Sequence, residues 1–144
     1  MLVRQILAGK AQAGIISVKT SDTVSEAAAI LAVKRIGAVI VSDDGSMVDG
    51  ILSERDIVRE IGLHGSGCLN ETVAKIMTRS VIACHMGDTS NAILEQMTHG
   101  RFRHMPVIED GGMVGVVTIG DIVKARISEV EWENTALTDM IAGH

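Results

Sequence analysis

The sequence feature that most constrains the fold is an internal repeat. Residues 41–48 match residues 107–114 at an offset of 66 positions. After one extra residue in the first copy, residues 50–53 match residues 115–118 at an offset of 65. Self-similarity at a nearly fixed spacing is the mark of a duplicated supersecondary unit. The chain is therefore predicted to contain two copies of one folding unit.

Each copy has the pattern strand, helix, strand, strand, helix. The first helix of copy one is predicted over residues 23–36, because Thr23 and Glu26 have capping-box spacing and apolar residues follow with helical periodicity. In the second copy, Asp88 is the predicted cap and Gly100 the predicted stop. The predicted strands are residues 15–18, 38–41 and 47–52, followed in the second copy by residues 81–84, 105–108 and 113–118.

This pattern predicts an α+β fold of two βαββα repeats. A unit of about 55 residues with three strands and two helices cannot cover its own sheet, so two units are expected to pack sheet against sheet. A pseudo-two-fold axis would relate them, with clefts where the copies meet. The predicted units are residues 1–64 and 65–126, with residues 64–70 as the linker and residues 127–144 as a tail.

Composition excludes several classes of function. Apolar residues make up 47% of the 144 residues and charged residues 22%, which is typical of a packed globule. Phe102 and Trp132 are the only aromatic residues, too few for stacking on single-stranded nucleic acid. The net charge of −5 lies mostly in the tail, and the nearly neutral repeat body has no basic stripe for binding duplex DNA.

The sequence also predicts the compartment. Cys68 and Cys84 can form at most one disulfide, and no signal peptide precedes them, so both are expected to be reduced thiols in a cytoplasmic protein. No apolar run reaches the roughly 18–20 residues that a membrane span needs. No nucleophile motif or metal-ligand spacing is present, so neither catalysis nor a metal site is expected.

One short motif occurs in both copies at the start of the last helix. Ser53 is followed three residues later by Asp56, and Thr118 in the same way by Asp121. This spacing places a hydroxyl, helix N-terminal amides and a carboxylate around one opening, where the amides favour a phosphate and the carboxylate can accept from ribose hydroxyls. The same spacing also suits an ordinary helix cap, and the residues alone leave both interpretations open.

A second motif occurs in one copy only. Arg103 and His104 stand at the entrance of a predicted strand beside the Thr118 element and could neutralise an oligophosphate. A solvated strand entrance is the alternative. The first copy has Gly37-Ala38 at these positions, so any phosphate contacts are expected to differ between the copies.

The order and duplication of these motifs resemble tandem cystathionine-β-synthase (CBS) domains. The resemblance rests on Ser53-Glu54-Arg55-Asp56-Ile57-Val58 and on Arg103-His104-Met105-Pro106-Val107. It covers residues 3–126, with a short leading helix in each copy at residues 3–7 and 72–77. The chain is similar to a stand-alone pair of the small bacterial type, often called a Bateman module.

The resemblance implies a non-enzymatic regulatory sensor that binds an adenine nucleotide (AMP, ADP or ATP) between the repeats, needs no cofactor, forms a homodimer and signals to a partner protein. It also implies roles for individual residues: Asp56 and Asp121 for ribose hydroxyls, Ser53 and Thr118 for phosphate or ribose, Arg55, Arg103 and His104 for phosphates, and Ile16 and Ile82 for the base. The alternatives are S-adenosylmethionine or NAD as ligand, or an interaction module without a ligand.

The first copy departs from the family pattern, because Ile40 replaces the proline of the second copy, Pro106. The two clefts are therefore expected to differ. In the tail, Ile127, Val130, Leu137 and Ile141 fall on one helical face, which either covers its own domain or packs across a two-fold partner.

Overall fold

The computed structural model describes residues 1–10 and 15–142, so residues 11–14 and 143–144 of the predicted units lie outside the described residues. In the first half the elements are α1 (Val3–Ala8), β1 (Ser17–Val18), α2 (Val24–Lys34), β2 (Ala38–Val41), β3 (Gly50–Ser53) and α3 (Glu54–His64). A 3-10 helix (Ser66–Asn70) in the linker leads to α4 (Val73–Ile76), α5 (Ser90–Gly100), β4 (His104–Glu109), β5 (Gly112–Thr118) and α6 (Ile119–Ile141). The predicted α+β architecture of two repeats is confirmed.

The first sheet has the order β1-β2-β3, with β1 parallel to β2 and β2 antiparallel to β3. The strand predicted over residues 47–52 begins only at Gly50. The turn before it is longer because one carboxylate oxygen of Asp44 accepts hydrogen bonds from the backbone amides of Ser46 (2.8 Å) and Met47 (2.7 Å). An aspartate that binds the amides that follow it holds the chain in a turn and delays the strand.

The second sheet has two strands, β4 and β5, and the strand predicted over residues 81–84 is wrong. Only Cys84 forms a bridge, donating from its amide to the carbonyl of Pro106 (2.9 Å) and accepting from the amide of Ile108 (2.8 Å). The next parallel hydrogen bond towards Ile82 would need an amide N–H at Pro106, which proline lacks. Ile40 occupies the matching position of the first copy and pairs with Ser17 of β1.

Three predicted helix ends also need correction, and the first is that of α2, which ends at Lys34 rather than at residue 36 because Arg35 adopts the left-handed conformation. The cap of α5 is Thr89, whose hydroxyl accepts from the amide of Ala92 (3.2 Å), while Asp88 accepts from the amide of His85 instead. Gly100 is the last residue of α5, and the left-handed residue after it is Arg101. Threonine and aspartate are both favoured at the N-cap position, so spacing alone could not separate the two neighbours.

The two repeats exchange their leading helices. Val3 and Ile6 of α1 are buried in the core of the second repeat, whereas Val73 and Ile76 of α4 are buried in the core of the first. Each repeat thus completes the apolar core of the other. Sequence periodicity could predict these short helices but could not say which core they join, because that depends on contacts between distant segments.

Glycine makes this exchange possible at one position in each sheet. A Cβ atom on Gly50 would lie 2.8 Å from the carbonyl oxygen of Thr78, and one on Gly115 would lie 3.0 Å from a methyl group of Leu7. The two glycines are equivalent in the repeat. At Gly50 a side chain would require the backbone of the other repeat to shift, whereas at Gly115 it would require the end of the Leu7 side chain to move.

The tail is not a separate element but the continuation of α6, which runs unbroken through Ile119–Ile141. At 1.5 Å per residue its 23 residues span about 35 Å. Its N-terminal turns pack on the second core through Ile122 and Ala125, while its later turns extend past the repeat.

Candidate functional site

Two clefts lie where the repeats meet, with volumes of about 590 Å³ and 710 Å³. We call them the first and the second cleft. They share one wall, formed by Gly37, Ile51, His104 and Thr118. A group that moves in this wall changes the shape of both clefts.

The first cleft contains the hydroxyl and carboxylate of the first repeated motif. Ser53 caps α3, and its hydroxyl accepts from the amide of Asp56 (3.2 Å). One oxygen of Asp56 accepts from the Ser53 amide (3.0 Å), and the other accepts from Arg59 (3.0 Å) and from the hydroxyl of Thr78 (3.5 Å). Asp56 is a capping residue and also a cleft residue, so the two interpretations of the motif are compatible. With only 6% of its surface exposed, it is a carboxylate held in a fixed position.

Basic side chains surround the same cleft. Arg55 follows the Ser53 cap on α3, and Arg103 and His104 come from the entrance of β4. Arg59 and Arg101 also line the cleft. Four guanidinium groups and an imidazole around one opening make it suited to an anion, because guanidinium matches phosphate in both charge and geometry.

Each cleft combines a motif from one repeat with an apolar side chain from the other. Ile82 of the second repeat lines the first cleft, together with Val81. Ile16 of the first repeat lines the second cleft, together with Ile15. The positions of Ile16 and Ile82 are equivalent, so this arrangement follows the pseudo-two-fold symmetry of the repeats.

The second cleft has fewer basic groups. Thr118 lines it and caps α6, its hydroxyl accepting from the amide of Asp121 (3.2 Å). Asp121 is not part of the cleft wall. Its carboxylate lies 2.9 Å from the ammonium of Lys10, and Lys10 does line the cleft. Burial raises the pKa of Asp121, but hydrogen bonds from Lys10 and Thr118 outweigh it, and the pKa lies below its ordinary value.

His104 stands between the two clefts and is half-buried. Burial lowers the pKa of its imidazole below the ordinary value. Glu54 and Asp121 oppose this shift, whereas Arg103 and Lys10 reinforce it. The neutral imidazole is favoured, so at neutral pH His104 offers one hydrogen-bond donor and one acceptor rather than a second positive charge.

Sequence reasoning missed four basic cleft residues, of which Arg59 lies on α3 three residues after Asp56. Arg35 and Arg101 follow α2 and α5 with φ values of 55° and 57°, and they line the second and the first cleft respectively. Their offset of 66 positions was a signal that could have identified them as a pair. Lys10 belongs to no local motif, and no sequence signal points to it.

The described part of the chain, residues 1–10 and 15–142, also lacks certain features. No three His, Cys, Asp or Glu side chains within it converge as a metal site would require. None of its helices combines the length and the apolar character needed to cross a membrane.

Comparison with known proteins agrees with this geometry. The sequence model of the CBS domain matches twice, over residues 3–63 and 73–128. A mitochondrial CBS domain-containing protein of Arabidopsis thaliana is 34% identical over 128 residues, which cover 86% of this chain. The chain spans only 62% of that relative's length.

Solved structures show the same fold. A CBS-domain protein of Agrobacterium tumefaciens superimposes with a TM-score of 0.83 at 40% identity, covering 88% of this chain and 99% of the other. The CBS domain pair of protein MJ0100, solved with 5-methylthioadenosine and S-adenosyl-L-methionine, gives 0.76 at 25% identity, covering 90% and 98%. Both are paired repeats of the kind described above.

Proposed function

Because this chain belongs to the CBS domain family and consists of two CBS repeats, we propose that it is a non-enzymatic regulatory module that binds an adenine nucleotide between the repeats. One observation carries the proposal. A fixed carboxylate, Asp56, lies beside a helix N-terminus and several arginines in a cleft of about 590 Å³. That combination offers a separate partner to each polar part of a nucleotide.

We propose a role for each group of the first cleft, in agreement with its chemistry. The Asp56 carboxylate accepts hydrogen bonds from the ribose hydroxyls, and Ser53 helps to seat the ribose or phosphate. Arg55, Arg103 and His104 face the phosphates. Ile82 packs against the base, as does its counterpart Ile16 in the second cleft, where Thr118 and Asp121 take the roles of Ser53 and Asp56.

AMP, ADP and ATP are favoured over other adenosyl compounds because of charge. Four arginines line the first cleft, and they attract phosphate but repel the sulfonium of S-adenosylmethionine. The bound ligands of the MJ0100 pair nevertheless make S-adenosylmethionine and 5-methylthioadenosine the second candidates. In either case the module holds its ligand without chemical change and passes the signal to a protein partner in the cytoplasm.

Isothermal titration calorimetry tests the ligand directly. AMP, ADP, ATP, S-adenosylmethionine and 5-methylthioadenosine are titrated into the wild type, Asp56→Asn and Asp121→Asn, with Asp139→Asn as the charge-matched control in the exposed end of α6. Each of the two variants at Asp56 and Asp121 weakens a ribose acceptor and should reduce the binding free energy by about 1–3 kcal/mol, which raises Kd roughly 5- to 150-fold. Asp139→Asn should bind like the wild type.

The absence of heat with all five ligands at about 100 µM protein, where millimolar affinities are still detected, would overturn the proposal. It would favour an interaction module without a ligand. Tighter binding of S-adenosylmethionine than of AMP would replace the nucleotide by the second candidate.

The partner of α6 is proposed to be a second copy of this chain. Ile127, Val130, Leu137 and Ile141 are 54%, 45%, 56% and 81% exposed, so their own domain does not cover this face. A two-fold dimer would bury it against itself. Sedimentation velocity should give twice the chain mass for the wild type and for Val33→Glu, an exposed control on α2. Val130→Glu should sediment as a monomer, and a wild-type monomer would refute the dimer.

A further inference from the structure

The second cleft differs from the first in the origin of the cation that binds its carboxylate. Asp56 is paired with Arg59 of its own helix, three residues further on. Asp121 is paired with Lys10, which follows α1 and so reaches across from the other end of the chain. The Lys10 ammonium also donates to the backbone carbonyl of Val116 (2.9 Å).

The second repeat has no lysine at the position of Lys10, where the alignment of α1 with α4 places Ser80, a residue that lines the first cleft. The apolar pattern of α1 and α4 aligns Val3 with Val73, yet 19 positions separate Val3 from Asp22 and only 15 separate Val73 from Asp88. The first copy is therefore four residues longer just after its leading helix, and with this alignment Lys10 immediately precedes the additional residues. The cation that binds Asp121 is therefore a feature of the first copy alone and is not part of the duplicated pattern.

We propose that Lys10 is the specificity-determining residue of the second cleft and restricts it to adenosyl ligands that carry a phosphate. The proposal rests on the function proposed above. The Lys10 ammonium and the Thr118 amide both bind Oδ2 of Asp121, so a ribose hydroxyl that takes this oxygen displaces Lys10, which then retains only the Val116 carbonyl. A phosphate on the same ligand supplies a new partner for the displaced ammonium, whereas an uncharged nucleoside leaves it without a counter-charge.

The remaining groups of the second cleft agree with this role. Arg35 is the other permanent cation in its wall, and His104 is held mainly neutral by burial. The first cleft, in contrast, has four arginines, so no single one decides its preference. Loss of one lysine should therefore change ligand choice in the second cleft and leave the first unaffected.

The test measures AMP and adenosine binding by calorimetry in an Asp56→Asn background, which weakens the first cleft. With Lys10 present, AMP should bind at least about 10-fold more tightly than adenosine, as expected for one charge-assisted contact. Lys10→Met should bind adenosine more tightly, because Asp121 is released, and AMP more weakly, so that the ratio falls towards 1. Lys124→Met, an exposed α6 residue outside both clefts, removes the same charge and should keep the ratio.

The outcomes separate this inference from the proposed function. If neither AMP nor adenosine binds the wild type, the inference fails, and the proposed function fails with it only when the other ligands titrated above do not bind either. If the wild type binds but Lys10→Met keeps the ratio of the Asp56→Asn background, the function stands and the role of Lys10 is refuted. Loss of all binding in that background also refutes it, because the second cleft then takes no nucleotide. Circular dichroism and thermal melting establish that each variant is folded.

Discussion

Replacing Gly50 by alanine tests the packing that holds the two repeats together. The new Cβ would lie 2.8 Å from the carbonyl oxygen of Thr78 and 2.9 Å from the sulfur of Met77. Thr78 is fixed by two backbone hydrogen bonds with Ile51, of 2.9 and 2.8 Å. A backbone atom held in this way cannot move aside as the end of a side chain can.

The cost follows from these contacts. Overpacking typically costs about 1–3 kcal/mol, and weakening each of the two hydrogen bonds adds about 0.5–1.5 kcal/mol. The lower entropy of the unfolded alanine chain returns about 0.4–1 kcal/mol. Gly50→Ala should therefore reduce the free energy of unfolding by about 3 kcal/mol, the middle of a range of about 1–6 kcal/mol.

Two other glycines provide matched controls. In Gly115→Ala, at the equivalent position, the Cβ meets methyl groups of Leu7 at 3.0 and 3.1 Å, and a rotation of that side chain should limit the loss to about 1 kcal/mol. In Gly62→Ala, inside α3, nothing lies within 4 Å, and the better helix propensity should stabilise the protein by up to about 1 kcal/mol.

Urea unfolding of the three variants and the wild type, followed by circular dichroism with the m-value checked for constancy, measures the differences. The expected order of stability is Gly62→Ala, wild type, Gly115→Ala, Gly50→Ala. If Gly50→Ala is no less stable than Gly115→Ala, contact between the Thr78 backbone and the first sheet does not limit this position, and the reasoning is wrong.

Three further predictions concern single side chains. His104 has a pKa below its ordinary value of 6.5, so its contribution to stability is present above that pH and is lost as the pH falls towards its folded pKa. His104→Gln should therefore flatten the curve of unfolding free energy against pH below 6.5. An unchanged slope would contradict this. Burial raises the pKa of Cys84 to about 12 and Cys68 is also buried, so a thiol reagent at about pH 8 should label two thiols only after unfolding, and rapid native labelling would refute it. Thr118→Ala removes the cap of α6 and should cost about 0.5–2 kcal/mol in urea unfolding, a loss that an unaltered midpoint would rule out.

Local chemistry made much of the fold predictable. The helix starts at Ser53 and Thr118 depend on residues three positions apart, and the hairpin of β4 and β5 depends on the short turn around Gly111, so a sequence window contains all the relevant groups. The duplication then provided a check, because a motif assigned to an element in one copy had to fit the same element in the other copy. The same locality explains why Ser53 and Asp56 could be selected as candidate cleft residues.

The missing strand at residues 81–84 shows where this approach ends. Its apolar residues match a strand pattern, but pairing depends on an N–H that Pro106, more than twenty positions away, does not have. The Lys10–Asp121 contact joins residues 111 positions apart. The exchange of α1 and α4 between the cores is likewise a property of the assembled molecule. Such features depend on contacts between residues that are far apart in the sequence, and the periodicity of a short segment contains no information about those contacts.

The unbroken course of α6 has a mechanical consequence. Its capped first turn is anchored at the shared wall through Thr118, and its last turn lies about 35 Å away. A rigid rod of this length converts an angular change into a linear one, so a tilt of about 5° at Thr118 moves the far end by about 3 Å. That displacement is close to the distance between two non-bonded carbon atoms in contact. A tilt of this kind would make the helix a lever whose short arm lies at the clefts and whose long arm carries the uncovered apolar face, so a protein bound there would experience the amplified movement.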